Sequence, residues 1–347
     1  MIAHNKPLIT LMDRQAVERV LSSGWIAEGP EVKGLEATFC DINFGGKAVA
    51  VSSGTAALFL ALRAGGVLKG QRVALPSYSC SALLNAILMC EAVPVLVDVR
   101  EDDFTIDLQR VKGLDQLSAV IAVHTFGASA NIEGLKKCVP LVIEDCCQSL
   151  GGPQGRLGDF SFYSFYATKI ITGGQGGLVW SADVNKVEWI RDYREFDCCD
   201  IYKPRFNFQM TDIQAAMINS QMTRLNELQS IRSKLREKYK AAAHKLLHSG
   251  WRLQEGFDEG AHLPYRVTLL APSHEEFSLL QRQFKLADIQ TIVPIEAYEL
   301  LHRYLGESKE AFPVSENLAQ NLLSLPCYPA LEAREIEAIC KVLERAG

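Results

Sequence analysis

Residues 48–66, AVAVSSGTAALFLALRAGG, decide the fold class. AVAV is an apolar run with no polar alternation, which marks a strand covered on both faces. SSGT interrupts it, and TAALFLALRAGG then reads as a helix closing on Gly65. Going outward, the unit recurs: RVALP is a strand, SALLNAILMCEA a helix, PVLVDV a strand, and SAVIAVHTFG a strand before the helix IEGLKKC. PLVIED, FSFYSF and GLVWS follow as strands. Strand–helix alternation needs crossover connections, so the expected fold class is α/β with a mostly parallel central sheet.

The texture changes at Thr211. TDIQ is a capping-box signature, and apolar residues recur at helical spacing through Met217, Leu225, Leu228, Ile231 and Leu235 with no glycine or proline until Gly250. One very long helix, or two nearly continuous ones, is expected there. Beyond it, YRVTLLA, a helix around residues 275–286, IQTIV and a final helix after Pro329 predict a smaller C-terminal α/β domain. The expected division is a large domain over residues 1–235 and a small one over 236–347.

Composition removes several classes of function. The 347 residues are 48% apolar and 22% charged with a formal net charge of −5, and no block of like charge stands out, so neither nucleic acid nor an anionic membrane is an expected partner. MIAHNKPLITLMDRQ lacks the features of a signal peptide, and no apolar run is long enough to span a bilayer, so the expected location is cytoplasmic. The ten cysteines include two adjacent pairs and no C-x-x-C spacing, which predicts free thiols rather than disulfides or zinc, and no metal site is expected.

Three sites carry chemistry. SSGT at 52–55 joins a strand end to a helix start, where Gly54 permits close approach, Ser53 and Thr55 supply hydroxyls and helix-start amides favour an anion. IEDCCQS places Asp145 where an apolar strand ends, the zone in which open parallel sheets bind ligands. Lys169 follows FYAT at the mouth of the same sheet, with Ser164 on the preceding strand and glycines from Gly173 onward; desolvation there would loosen its proton. Each has a structural explanation when taken alone: a helix cap, a salt bridge, a surface lysine. Together, in this order on a parallel sheet, they are the parts that pyridoxal phosphate requires: a phosphate anchor, a carboxylate for the pyridine nitrogen, and a lysine to bond the aldehyde and then shuttle a proton.

SSGTAALFLAL, PSYSCSALLNAI, VPVLVDV, VHTFG, VIEDCCQS, SFYATKIITGGQGG, FNFQMTDIQAAM and LSLPCYP, in this order, resemble the DegT/DnrJ/EryC1/StrS family of pyridoxal-phosphate-dependent sugar aminotransferases. The resemblance runs from SGWIAEGP at 23–30 to the final helix. It implies a fold type I transferase, a homodimer with active sites at the subunit interface, and transfer of an amino group from glutamate to a nucleotide-linked keto-sugar. By position, Lys169 resembles the cofactor-bonding lysine and Asp145 the pyridinium partner. Gln148 matches a residue against the cofactor's phenolic oxygen, and Gly54, Thr55 and Ser164 match phosphate contacts. Asn207 and Gln209 fall in the segment that reaches the neighbouring subunit's phosphate, with plain loop polarity as the alternative. His124 is expected to be structural.

The chain departs from the family at several positions. Cys80 stands where an aromatic residue usually stacks on the ring, with Tyr78 two residues away, and Gln209 stands where arginine is common. A dehydratase branch carries histidine in place of the lysine, and Lys169 argues against it. The rival activities are another fold type I reaction, a lyase or a desulfurase using Cys198 or Cys199, and a cofactor-binding regulator without turnover. Loops around Trp25–Pro30 and the segment TIVPIEAYELLH are expected to set the choice of sugar.

Overall fold

The computed structural model describes residues 1–43, 45–197, 199–257 and 263–346. Among them, seven strands form one sheet: β1 (Lys47–Val51), β2 (Arg72–Pro76), β3 (Val93–Val97), β4 (Leu117–Val123), β5 (Val142–Asp145), β6 (Phe160–Ser164) and β7 (Gly177–Ser181). Their order across the sheet is β1-β7-β6-β5-β4-β2-β3. β6, β5, β4, β2 and β3 run parallel to their neighbours, while β7 pairs antiparallel with both β6 and β1. Every strand but β7 therefore points the same way. The carboxyl ends of β1, β2, β4, β5 and β6 share one edge, and β7 begins there.

The unbroken apolar pattern of the strands has the expected cause. In β1, Val49 and Val51 pack into the core on one face of the sheet, whereas Ala48 and Ala50 pack into the core on the other. A side chain such as Val49, wholly removed from water, stabilises the fold by roughly 1.5–3 kcal/mol, so both faces favour burial. Helix Gly54–Ala64 lies directly after β1, buried along nearly its whole length, with Ser53 accepting the Ala56 amide as its cap and Gly65 ending it.

Three more strands form a second sheet in the order β10-β9-β8: β8 (Arg252–Leu253), β9 (Val267–Leu270) and β10 (Leu322–Leu325). A separate apolar core, including Leu235, Tyr239, Trp251, Phe284 and Leu343, packs around it. The polypeptide linking the two sheets is helical but broken, as Asp212–Met222, Leu225–Ala242 and His244–His248. At the first break the Thr223 hydroxyl donates to the Ser220 carbonyl, and Arg224 turns out to Asp13 at 2.8 Å, which tightens the turn and interrupts the helical ladder.

Some expectations need correction. The strand read through VHTFG stops at Val123, because Phe126 adopts a positive φ of 55° in a short turn. IQTIV is no regular strand; Ile289 bridges Ile2 and Ile292 bridges Ser324. The place beside β9 goes instead to β10, within LSLPCYP. No helix among the described residues is long and apolar enough to cross a membrane.

Candidate active site

The shared strand edge opens into a cavity of about 390 Å³, within the usual size range of small-molecule sites. Gly54, Thr55, Cys80, Asp145, Gln148, Ser164 and Lys169 all line it. Asn207 and Gln209 do not. Asn207 is exposed, and Gln209 donates its side-chain amide to Glu195 at 3.0 Å. Their segment still passes close by, for the Ser52 amide donates to the Phe208 carbonyl at 2.7 Å.

Gly54 and Ser164 meet at one end of the cavity. A Cβ on Gly54 would lie 2.9 Å from Ser164 Cβ and 3.3 Å from its hydroxyl, so only glycine lets the helix start and the β6 end approach this closely. Gly177 does the same for the backbone: a Cβ there would collide with the carbonyl of Ser53. Amides at the start of an eleven-residue helix, the positive end of its dipole and adjacent hydroxyls suit a phosphate dianion.

At the end of β5, adjacent acids face opposite ways, as strand geometry dictates. Glu144 points away from the cavity, bonds His124 Nε2 at 2.9 Å and accepts the amides of Gly155, Leu157 and Gly158 at 2.9, 2.8 and 2.6 Å. His124 Nδ1 accepts the Ala130 amide at 3.1 Å, which leaves the proton on Nε2. Burial raises the Glu144 pKa, but these donors outweigh it and the pKa is lowered. His124, Glu144 and Cys146 offer ligand atoms within 4.8 Å of one another, yet this bonding leaves the imidazole no lone pair for a metal. Asp145, only 6% exposed, turns into the cavity, with one carboxylate oxygen accepting the Cys147 amide at 2.9 Å. A carboxylate so nearly buried needs a further donor, and a protonated heteroaromatic nitrogen is of the right kind.

Lys169 sits in the loop between β6 and β7, its Nζ 5.7 Å from the centroid of the Tyr265 ring. Here the structure overturns an expectation. Burial lowers the Lys169 pKa, but the acidic groups around the ammonium, Tyr265 and Asp145 among them, more than offset that, and the pKa is raised. The same cation acts on Tyr265: burial raises the phenol, while Lys169 and then Arg266 bring it below its ordinary value. Burial, and then Asp145, push the Cys147 thiol well up, so it is protonated at neutral pH.

Gln148 lines the cavity with its side-chain oxygen accepting the Phe126 amide at 2.8 Å. Tyr78 is fully buried in the wall, edge-on to Phe126 at 6.4 Å, while Cys80 is exposed to the cavity at the start of helix Ser81–Met89. Tyr265, Arg266, Glu299 and Tyr304 also line it. Among these, only Glu299 fell in a segment expected to bear on function; Tyr265 and Arg266 open YRVTLLA, which was read for structure alone. Tyr265 and Arg266 precede β9, and the signal that could have flagged them is a Tyr-Arg pair directly before an apolar strand. The Trp25–Pro30 loop is not part of the lining; Asp212 pins it by accepting the amides of Gly29, Glu31 and Val32 at 2.8, 3.1 and 3.0 Å. Cys199 is exposed and lies outside the lining, and Cys198 lies outside the described residues.

A cavity holding a helix-start anion cradle, a buried carboxylate and a lysine is joined by a sequence match over residues 8–344 to one family pattern. The chain belongs to the DegT/DnrJ/EryC1/StrS aminotransferase family. It is 26% identical to the spore coat polysaccharide biosynthesis protein SpsC of Bacillus subtilis, over 99% of this chain and 96% of that protein. It is likewise 26% identical to the GDP-perosamine synthase of Escherichia coli O157:H7, over 97% and 96%. Its fold matches that of Spr1654 from Streptococcus pneumoniae in its PLP form, with a TM-score of 0.89 and 23% identity over 99% and 97% of the two chains. The protein is therefore an aminotransferase of the fold type I architecture, and pyridoxal 5′-phosphate is its cofactor.

Proposed function

We propose that this aminotransferase moves an amino group from glutamate to a nucleotide-linked keto-sugar. The observation that carries the reading is the convergence of Lys169, Asp145 and the Ser53–Thr55 helix start on one cavity, in a chain that spans nearly the full length of relatives named for amino-sugar synthesis. The bound cofactor supplies an electron-withdrawing ring that stabilises negative charge at the carbon losing its proton.

The chain's own residues do the rest. Lys169 Nζ would hold the cofactor through its aldehyde and, once the donor's amine has displaced it there, would as a free amine carry the proton between the donor's α carbon and the product. Asp145 would hold the proton on the ring nitrogen by accepting a hydrogen bond from it. Gly54, Thr55 and Ser164 would hold the phosphate, Gln148 would face the phenolic oxygen, and Cys80 would cover part of the ring, where sulfur against an aromatic surface is favourable. Asn207 and Gln209 serve the partner's phosphate in a homodimer. That assembly is supported by their absence from their own cavity and by the exposed Trp25, Ile201, Tyr202 and Phe206. We place the enzyme in the cytoplasm, in keeping with the nine described cysteines all being free, and divide it near residue 235, in keeping with its two sheets and separate cores. The desulfurase alternative draws no support from Cys199, which lies outside the cavity lining.

The test is the half-reaction. Glutamate added to the holoenzyme should bleach its visible cofactor band, and a nucleotide keto-sugar should restore it; a band indifferent to every amino donor would sink the proposal.

A further inference from the structure

Among the described residues, the cavity lining has two strong cations, Lys169 and Arg266. The proposed reaction employs Lys169 and leaves Arg266 without a task. Arg266 is partly buried just before β9, its guanidinium carbon 5.3 Å from the Tyr265 ring centroid and 5.7 Å from that of Phe126. Aromatic faces on a planar cation fix it in place without consuming its N–H groups. Its polar contacts are long: Nη1 lies 3.4 Å from His4 Nε2 and 3.5 Å from Ser324 Oγ, and the buried Nε has no partner among the described residues. Neither contact is an anion. Burial, and then the Arg266 charge, push His4 down to about 3, so its imidazole is neutral.

Other arginines have anionic or short carbonyl partners at their terminal nitrogens, although the buried Nε of Arg194, Arg224 and Arg232 is likewise without a partner among the described residues. Carboxylates pair with Arg191, Arg194, Arg205 and Arg224. Arg232, also packed on Tyr265, donates Nη1 to the carbonyls of Tyr265 and Cys327 at 2.9 and 2.6 Å. A guanidinium withdrawn from water without comparable partners carries a desolvation cost that an anionic ligand would offset, and its fork of donors matches a carboxylate.

We propose that Arg266 is a carboxylate subsite that binds the dicarboxylic amino donor and the 2-oxo acid left after transfer. This rests on the glutamate reading given above. The acceptor's diphosphate is the other anion the reaction brings. The carboxylate is favoured because Arg266 and Lys169 approach the same Tyr265 ring: a small amino acid reacting at Lys169 keeps its carboxylates close, whereas a diphosphate lies a sugar ring away from a reacting keto carbon.

Calorimetric titration of the holoenzyme with succinate, GDP and dTDP tests it, beside the glutamate KM of the half-reaction. Arg266→Met should weaken succinate binding and raise the glutamate KM by about tenfold to a hundredfold, leaving nucleotide binding unchanged. Arg266→Lys should recover part of the loss, because it restores the charge without the fork. Near-ultraviolet circular dichroism like that of the wild type establishes that each variant is folded. Equal succinate affinity in wild type and Arg266→Met, or no succinate binding by the wild type, overturns the proposal. So does loss of GDP or dTDP affinity with succinate unaffected, which assigns Arg266 to the acceptor. Succinate binding that depends on Arg266, in a holoenzyme whose band glutamate leaves unchanged, supports the subsite and sinks the glutamate donor instead.

Discussion

Two parts of one cavity are built by different means. Ser53–Thr55, Asp145 and Ser164 stand at the ends of β1, β5 and β6, with Lys169 in the loop that follows, and sheet hydrogen bonds fix their backbone. Tyr265, Arg266, Glu299 and Tyr304 come from the approach to β9 and from the turns around helix Leu301–Tyr304. Side-chain bonds across long sequence distances hold that second part: Tyr265 OH to the Thr168 carbonyl at 3.0 Å, Ser77 Oγ to His302 Nδ1 at 2.6 Å, and His302 Nε2 to Glu316 at 2.9 Å. Chemistry common to a family suits a part that backbone geometry makes rigid. Selection of donor and acceptor suits the part assembled from side chains, which can change one residue at a time.

The sharpest way to break this contrast is at Lys169. Lys169→Ala should abolish turnover and the covalent cofactor adduct trapped by borohydride, read by mass spectrometry; an adduct that survives assigns the bond elsewhere. Asp145→Asn keeps the shape and removes the charge, and should lower kcat by about 10²–10³-fold with little change in folding. A kcat within threefold of wild type would detach Asp145 from the chemistry. Gly177→Ala attacks the same part through packing alone, since its Cβ collides with the Ser53 carbonyl; a loss of about 1–3 kcal/mol in denaturant unfolding is expected, with cofactor affinity falling too.

The smallest effect lies behind the second part. His4 has its pKa pushed down to about 3, so folding favours its neutral form. Its contribution to stability is whole above the unfolded-state pKa near 6.5 and is lost as pH falls from there toward 3. Between pH 6.5 and 5, before most carboxylates titrate, His4→Asn should flatten the decline in denaturant midpoint. An unchanged slope would mean that this imidazole is not held neutral by the fold.

How much of this was legible follows the same division. AVAVSSGT and VIED could be placed because a strand covered on both faces leaves an unbroken apolar run, and its end is a local event. Lys169 could be located by that logic, but its raised pKa could not, because the groups that raise it come from distant positions, residues 145 and 265 among them. β10 was missed within LSLPCYP, and IQTIV was read too regularly, because partner strands choose between short apolar runs that look alike.

The sequence by itself determined the order of strands and helices in the large domain, the family, and the three groups at the sheet edge, since these depend on periodicity and on residues a few positions apart. Only the tertiary structure decided that Glu144 turns from the cavity while Asp145 enters it, that Gln209 bonds Glu195 and does not line the cavity, and that Arg266 meets no anion among the described residues. Charge pairing and burial are set by distances in space, and residues 4, 126, 265 and 324 meet around one guanidinium only after the chain has folded.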